Sequence, residues 1–360
     1  MKMFHCECGQ RVFFENFVCL QCGEVLGFDP RNFTLWALEE SPNGTWRQSG
    51  IDRGDAYRLC QNRVEFNVCN WLVPAGSDYE FCVSCRLNRV IPNLSIPHNS
   101  ERWAKLEQAK RRLLYTLLRL GLPVDATERC RGLMFEFLED QRSNPLVNES
   151  HVLIGHADGV ITLNVAEADD AIREQVRQQM GELYRTLLGH LRHESGHYYW
   201  LRLIHDSEHV TAFRELFGDE RADYKQAIER YYQRDDQSAL QGSQYVSTYA
   251  GAHPLEDWAE CWAHYLHMID TMETAETHGA VERSADSGFA AFANDWIGLS
   301  VTLNDLNRSM GFDDAYPFVL SSSVIDKLTF IHRQVERAVQ QPEALVNSQT
   351  HSVNFPARHS

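Results

Sequence analysis

Along the chain, the spacing of apolar positions changes character once, near residue 97. Before that point the apolar stretches are short, lack helical spacing, and are broken by turn signals such as Ser41-Pro42-Asn43-Gly44. This pattern predicts small β-ribbons joined by loops. Ile91 to Pro97 contains two prolines and no period, and reads as an extended linker. A helix is then expected from Ser100, a candidate N-cap, through Trp103, Leu106, Leu113, Leu114, Leu117 and Leu118 to a stop at Gly121-Leu122-Pro123. Val152 to Val165 includes the β-branched run Gly159 to Val165 and predicts two strands turning at Asp158-Gly159. One long helical region follows, from about Asp169 to Ile204, with Leu183, Leu187, Leu188, Leu191 and Leu201 at helical spacing. Further helices are expected from Pro254 to about Thr277, near 286–309 and near 321–340. The expected architecture is α+β: a small Cys-rich β region over 1–97, a mostly helical domain with a small β-sheet over 98–342, and a polar tail over 343–360.

Composition narrows the partners. The 360 residues are 43% hydrophobic and 23% charged, the balance of a globular protein. A formal charge of −16 argues against nucleic acid, which calls for a basic stripe, and against anionic lipid. No stretch reaches the length of apolar residues a membrane span needs, and the opening MKMFHCECGQ has no apolar leader core. A cytoplasmic location is the expectation. In a reducing compartment, clustered cysteines point to metal in place of disulfides.

The cysteines form two groups. Cys6-x-Cys8 and Cys19-x2-Cys22 have the form of a zinc ribbon, with Gly9 and Gly23 allowing a tight turn after each pair. The C-x-C pair is tighter than the usual C-x2-C, which leaves His5 as an alternative donor. Cys60, Cys69, Cys82 and Cys85 make a second candidate four-thiolate site, with buried free thiols as the other reading of Cys60 and Cys69. Both sites would be closed and structural. Cys130 and Cys261 stand apart and are expected as buried free thiols.

The candidate chemistry lies in His193-Glu194-Ser195-Gly196-His197, an H-E-x-x-H pattern on a predicted helix. Residues four apart share a helical face, so both imidazoles can bind one cation, and Glu194 then stands where it can act as general base toward a zinc-activated water. Such a site needs a third protein ligand and an open position. Glu256 and Glu260, one turn apart among Leu255, Trp258, Ala259, Trp262 and Leu266, supply carboxylates on an otherwise apolar helix. Glu256 is read as the third ligand. Glu260 is read as the carboxylate behind it, accepting a hydrogen bond from the far nitrogen of a ligand histidine; the reverse assignment is the alternative. His190, His264 and His267 are left outside the ligand set. Asp219 and Asp223 either support the site or are solvated charges. The strand Gly159–Val165 either edges a substrate cleft or is buried for packing.

H-E-x-x-H followed some sixty residues later by a helical Glu resembles the gluzincins, and Tyr249-x6-Glu256-x3-Glu260 is similar to the second motif of lethal-factor-like gluzincins. That resemblance implies a ligand role for Glu256, a buried supporting role for Glu260, and for Tyr249 the role of donor to the developing oxyanion. The chain resembles more broadly the bacterial family of zinc-binding metallopeptidases with an N-terminal zinc ribbon. Cys69–Pro74, Cys82–Arg89, Leu163–Asp170, Tyr184–His190, Phe217–Tyr224 and Trp262–His267 carry that likeness. It implies a zinc ribbon before a zincin-like metallopeptidase domain, one catalytic Zn2+, one or two structural Zn2+, and a peptide or protein substrate. The competing expectation is a zinc-ribbon module binding protein or nucleic acid beside a catalytically silent metal domain. Eight arginines of the ribbon region, Arg11 to Arg89, are matched by a similar number of acids, so no basic patch favours it.

Overall fold

The computed structural model describes residues 1–51, 54–127, 130–233, 244–282 and 288–340. The tail expected over 343–360 lies outside them. The N-terminal part is built of strands: β1 (Phe4–His5) and β2 (Arg11–Val12) form a two-stranded ribbon. β3 (Val25–Asp29), β4 (Thr34–Glu40), β5 (Trp46–Gln48), β6 (Tyr57–Leu59) and β7 (Leu72–Pro74) form an antiparallel meander, with a short helix α1 (Gln61–Phe66) before β7. β8 (Asn88–Val90) then leaves this meander and pairs in parallel with β9 (Met134–Leu138), across the helix α2 (Asn99–Arg119). β10 (Gly155–Ala157) and β11 (Val160–Asn164) complete a second sheet in the order β10-β11-β9-β8. The remainder is helical: α3 (Asp170–Met180), α4 (Leu187–Leu203), α5 (Val210–Phe217), α6 (Tyr224–Tyr232), α7 (Pro254–Thr277), α8 (Phe289–Ser309) and α9 (Ser322–Gln340). This is the expected class, a Cys-rich β region followed by a mostly helical domain with a small sheet. Among the described residues, no helix is long and apolar enough to cross a membrane.

Several expectations are corrected. The helical region over 169–204 is two helices. Gly181 ends α3 in the left-handed conformation at φ +63, a common helix stop, and Thr186 begins α4 by accepting the N–H of Gly189 at 2.9 Å. α2 begins at Asn99 instead of after Ser100. Residues 91–97 are not an extended linker: Asn93 accepts the N–H of Ser95 at 3.0 Å and folds them into a turn, and Glu139 accepts the N–H of Asn93. Of the two readings of Gly159–Val165, the structure supports packing: β11 is an interior strand with Ile161 and Leu163 fully buried, and the edges of its sheet are β10 and β8. The Asp158-Gly159 turn forms where expected, with both residues at positive φ.

The β region and the helical bundle share one core. Phe14 and Phe28 of the ribbon lie 5.4 and 6.0 Å from the ring of Tyr115 on α2, and Trp71 lies 5.1 Å from Phe28. α2 also packs on α4. Charges buried at this seam are paired, as burial requires. Lys110 meets Glu107 at 2.9 Å and donates to Asn88 at the start of β8, while Arg111 donates to the carbonyl of Val68 at 2.6 Å. A core shared in this way unfolds as a unit. Trp71→Ala is therefore expected to lose about 3–5 kcal/mol, the usual scale for a buried aromatic truncation. Calorimetry on the variant should show one transition at lower temperature, with no separate melting of the ribbon.

Candidate metal centre

α4 and α7 cross at an unusually close contact. A Cβ placed on Gly196 would lie 2.8 Å from the Cα of Ala259 and 3.2 Å from the Cβ of Trp262, so only glycine allows the two backbones this approach. Tryptophans of α7 then fasten the pair. Trp258 donates from its indole to the carbonyl of Gly196 at 2.8 Å, and Trp262 donates to Ser195 Oγ at 3.1 Å. The start of α7 is set by His253, whose Nδ1 accepts the N–H of Leu255 at 3.1 Å and whose Nε2 donates to the carbonyl of Ala222 at 3.1 Å. Pro254 at the first helical position suits the fixed φ there.

With the helices so placed, donor atoms of His193, His197 and Glu256 all lie within 4.8 Å of one another. His193 Nε2 is 3.0 Å from Glu256 Oε2, and His197 Nε2 is 3.6 Å from Glu256 Oε1. All three residues are buried, and Glu256 is wholly so. Glu260 is not part of this convergence. It accepts from His193 Nδ1 at 2.6 Å and from Ser247 Oγ at 2.7 Å. Burial alone would raise its pKa; the hydrogen bond and the charge of His193 outweigh that and bring it down to about 2. A carboxylate on Nδ1 fixes the ring and leaves Nε2 facing Glu256. The structure thus separates the two glutamates, with Glu256 among the imidazoles and Glu260 behind them.

Glu194 is buried on α4 next to His193. Tyr249 lies in a short 3-10 turn before α7, its ring 6.1 Å from that of His193 and packed edge-on at 5.4 Å against Tyr231. Both His193 and Tyr249 open onto a cleft of about 740 Å³. His190, His264 and His267 line the same cleft without joining the cluster. The residues 151–154 leading to the edge strand β10 also line it, whereas β11 does not.

Two contributors escaped the sequence reading. Tyr224 donates from its hydroxyl to Glu256 Oε1, and Ser247 holds Glu260. Tyr224 closes the Phe217–Tyr224 segment, so a signal was present; Ser247 left none. Asp223 does not reach the site. It caps α6, accepting the N–H of Gln226 at 2.9 Å, and so sets the helix that begins with Tyr224. Asp219 pairs with Arg221 at 2.8 Å on the surface.

In the β region, Cys6, Cys8, Cys19 and Cys22 form one quartet and Cys60, Cys69, Cys82 and Cys85 another, the sulfurs of each within 4.8 Å of one another. In the first, Gly9 and Gly23 follow the knuckles at φ +84 and +81 and donate to the carbonyls of Cys6 and Cys19, both at 2.9 Å. His5 is exposed on β1 and stands outside this quartet. In the second quartet all four residues are buried, and backbone N–H groups of Cys82 and Trp71 donate to Cys60 and Cys69 Sγ, both at 3.4 Å. Cys261 is buried, but Cys130 is only half buried.

Residues 99–334 match the family described as "Putative zinc-binding metallo-peptidase", and residues 3–96 match a zinc-ribbon domain. The chain belongs to this zinc-binding metallo-peptidase family. It is also 42% identical over 348 residues to uncharacterized proteins of Mycobacterium tuberculosis and Mycobacterium bovis, covering 93% of this chain and 96% of each relative. No solved structure matches it significantly.

The helix crossing gives a direct test. Gly196→Ala forces a methyl against the α7 backbone, a clash that costs about 1–3 kcal/mol in a packed core. Denaturant unfolding should show that loss, and titration calorimetry should show weaker zinc binding at the His/Glu cluster with both cysteine quartets still loaded.

Proposed function

We propose that the chain is a zinc-dependent peptidase whose catalytic ion is held by His193, His197 and Glu256, in the manner of the gluzincins. The observation that carries this reading is the convergence of those three donors from two helices within 4.8 Å, with Glu260 on the far nitrogen of His193. Two imidazoles and one carboxylate are a donor set that suits zinc and leaves room for a further ligand from the cleft. When bound, the ion lowers the pKa of water to about 7 and polarises a carbonyl oxygen.

The protein's own groups supply the rest. Glu194 takes the proton from the attacking water and passes it to the departing amine nitrogen. Tyr249 offers its hydroxyl to the oxygen that gains charge as the carbonyl becomes tetrahedral. Glu260 and Ser247 hold His193 in one tautomer and orientation, and Tyr224 holds Glu256. The two cysteine quartets hold structural zinc and take no part in the reaction. The substrate is a peptide or protein; the −16 charge of the chain does not suit nucleic acid.

The roles are separable. His193→Ala should bind one equivalent of zinc fewer than the native chain while keeping its fold by circular dichroism; an unchanged zinc content removes His193 from the ligand set. Glu194→Gln should keep full zinc content and lose hydrolysis of an unbiased peptide library. Tyr249→Phe should lower kcat about 10²–10³-fold, the scale for one lost oxyanion donor, with little change in KM.

A further inference from the structure

The segment leading into α7 forms one wall of the cleft, which Tyr245, Ser247, Thr248 and Tyr249 all line. The bond from Ser247 to Glu260 pins one point of this segment to α7. One pinned point leaves open the direction in which the chain enters the Tyr249–Ala252 turn. Tyr231 on α6 adds a ring edge at 5.4 Å from Tyr249 and a 3.3 Å contact with the Thr248 hydroxyl. Both of these act at the same end. The hold at the other end comes from behind the wall.

Lys327, in the second turn of α9, is 3% exposed. Its ammonium donates to Asp257 Oδ2 on α7 and to the carbonyl of Gln244, each at 2.6 Å. It also lies 4.8 Å from the ring centre of Tyr245 and 5.5 Å from that of Phe217 on α5, a setting that suits a cation. Taking two charges out of water is costly, and apolar residues of similar volume often hold two helices together as well or better. Packing of α9 on α7 therefore does not account for the pair. What an apolar side chain cannot do is grip a main-chain oxygen of a third segment, and Lys327 does so at Gln244.

We propose that Lys327 is a positioning residue: braced on Asp257, it anchors the chain at Gln244 and so aims the Tyr249 hydroxyl at the reacting carbonyl. The inference rests on the peptidase reading. Gln244 lies three residues before Ser247 and five before Tyr249. The Lys327 and Ser247 bonds thus fix two points of one short segment, and two points set its direction. Lys327 does not line the cleft, so it acts only through what it holds. Rates fall steeply when a reacting group is displaced by about 1 Å. The rest of the substrate's contacts are untouched by such a shift, so the loss belongs in kcat.

Lys327→Met alone strands a buried carboxylate and weakens the fold. The test therefore combines Lys327→Met with Asp257→Asn, which removes both charges at similar volume. Lys327→Gln with Asp257→Asn, one atom shorter and still able to hydrogen-bond, is the second variant. Circular dichroism and zinc content check the zinc-loaded, full-length chains. Hydrogen exchange read by mass spectrometry should quicken about tenfold at 245–251 and stay native along α4. On a peptide that the native chain hydrolyses, kcat should fall about tenfold or more with little change in KM. In a Tyr249→Phe background the same change should lower kcat less than about twofold, because the group it aims is gone. Unchanged exchange at 245–251, exchange quickened equally along α7 and α9, or loss of zinc from the His/Glu cluster would overturn the proposal. So would an unchanged kcat, an equal loss in both backgrounds, or loss of the fold in both variants, which would make Lys327 a residue of the core alone. Local quickening in the variant with no hydrolysis by the native chain would retain the anchor and remove the catalytic reading.

Discussion

The metal centre depends on how closely two helix backbones can approach. Two histidines one turn apart on α4 present their imidazoles together by helical geometry alone. A carboxylate from α7 joins them only because Gly196 leaves no Cβ between the helices and the indoles of Trp258 and Trp262 hold them there. The fourth position of the H-E-x-x-H pattern, Gly196, is therefore a packing element here as well as a spacer. The supporting groups build on the same crossing. Glu260 lies one turn beyond Glu256, Ser247 lies on the segment leading into α7, and Tyr224 is brought in by α6.

The cysteine quartets belong to the same core. α2 packs against ribbon aromatics and against α4, and Met1 of the ribbon region reaches α7 directly through Glu273. Paired buried charges and the β8–β9 strand pairing cross the seam. A ribbon built in this way buttresses the bundle, and its thiolate sites fix the loops that rest against α2. Structural zinc commonly contributes to folding in small β modules that cannot bury much surface alone.

What could be read from the sequence follows the range of the interactions. The histidine pair and the two glutamates obey local helical periodicity, so their clustering was legible from His193, His197, Glu256 and Glu260 themselves. The cysteine quartets were legible from the close pairs Cys6/Cys8, Cys19/Cys22 and Cys82/Cys85, with Cys60 and Cys69 as the partners the last pair needs. The turn at Asp158-Gly159 announced itself by residue type. Other features are set by contacts distant in sequence. The parallel pairing of β8 with β9 crosses a whole helix and leaves no pattern in either strand. That β11 is interior depended on its own parallel pairing with β9, distant in sequence. Gly181 broke a helix whose apolar spacing ran on through it, and Asn93 folded a segment whose prolines suggested extension. Ser247 reaches its partner from a loop, where no period marks which side chain will point inward.

The central claim is a single cation shared by His193, His197 and Glu256. Anomalous diffraction at the zinc edge from crystals of the zinc-loaded chain tests it most directly. The account predicts a peak at about 2.0–2.2 Å from an imidazole nitrogen of each histidine and from a carboxylate oxygen of Glu256, in addition to those at the cysteine quartets. Peaks at the quartets with none between α4 and α7 would contradict it.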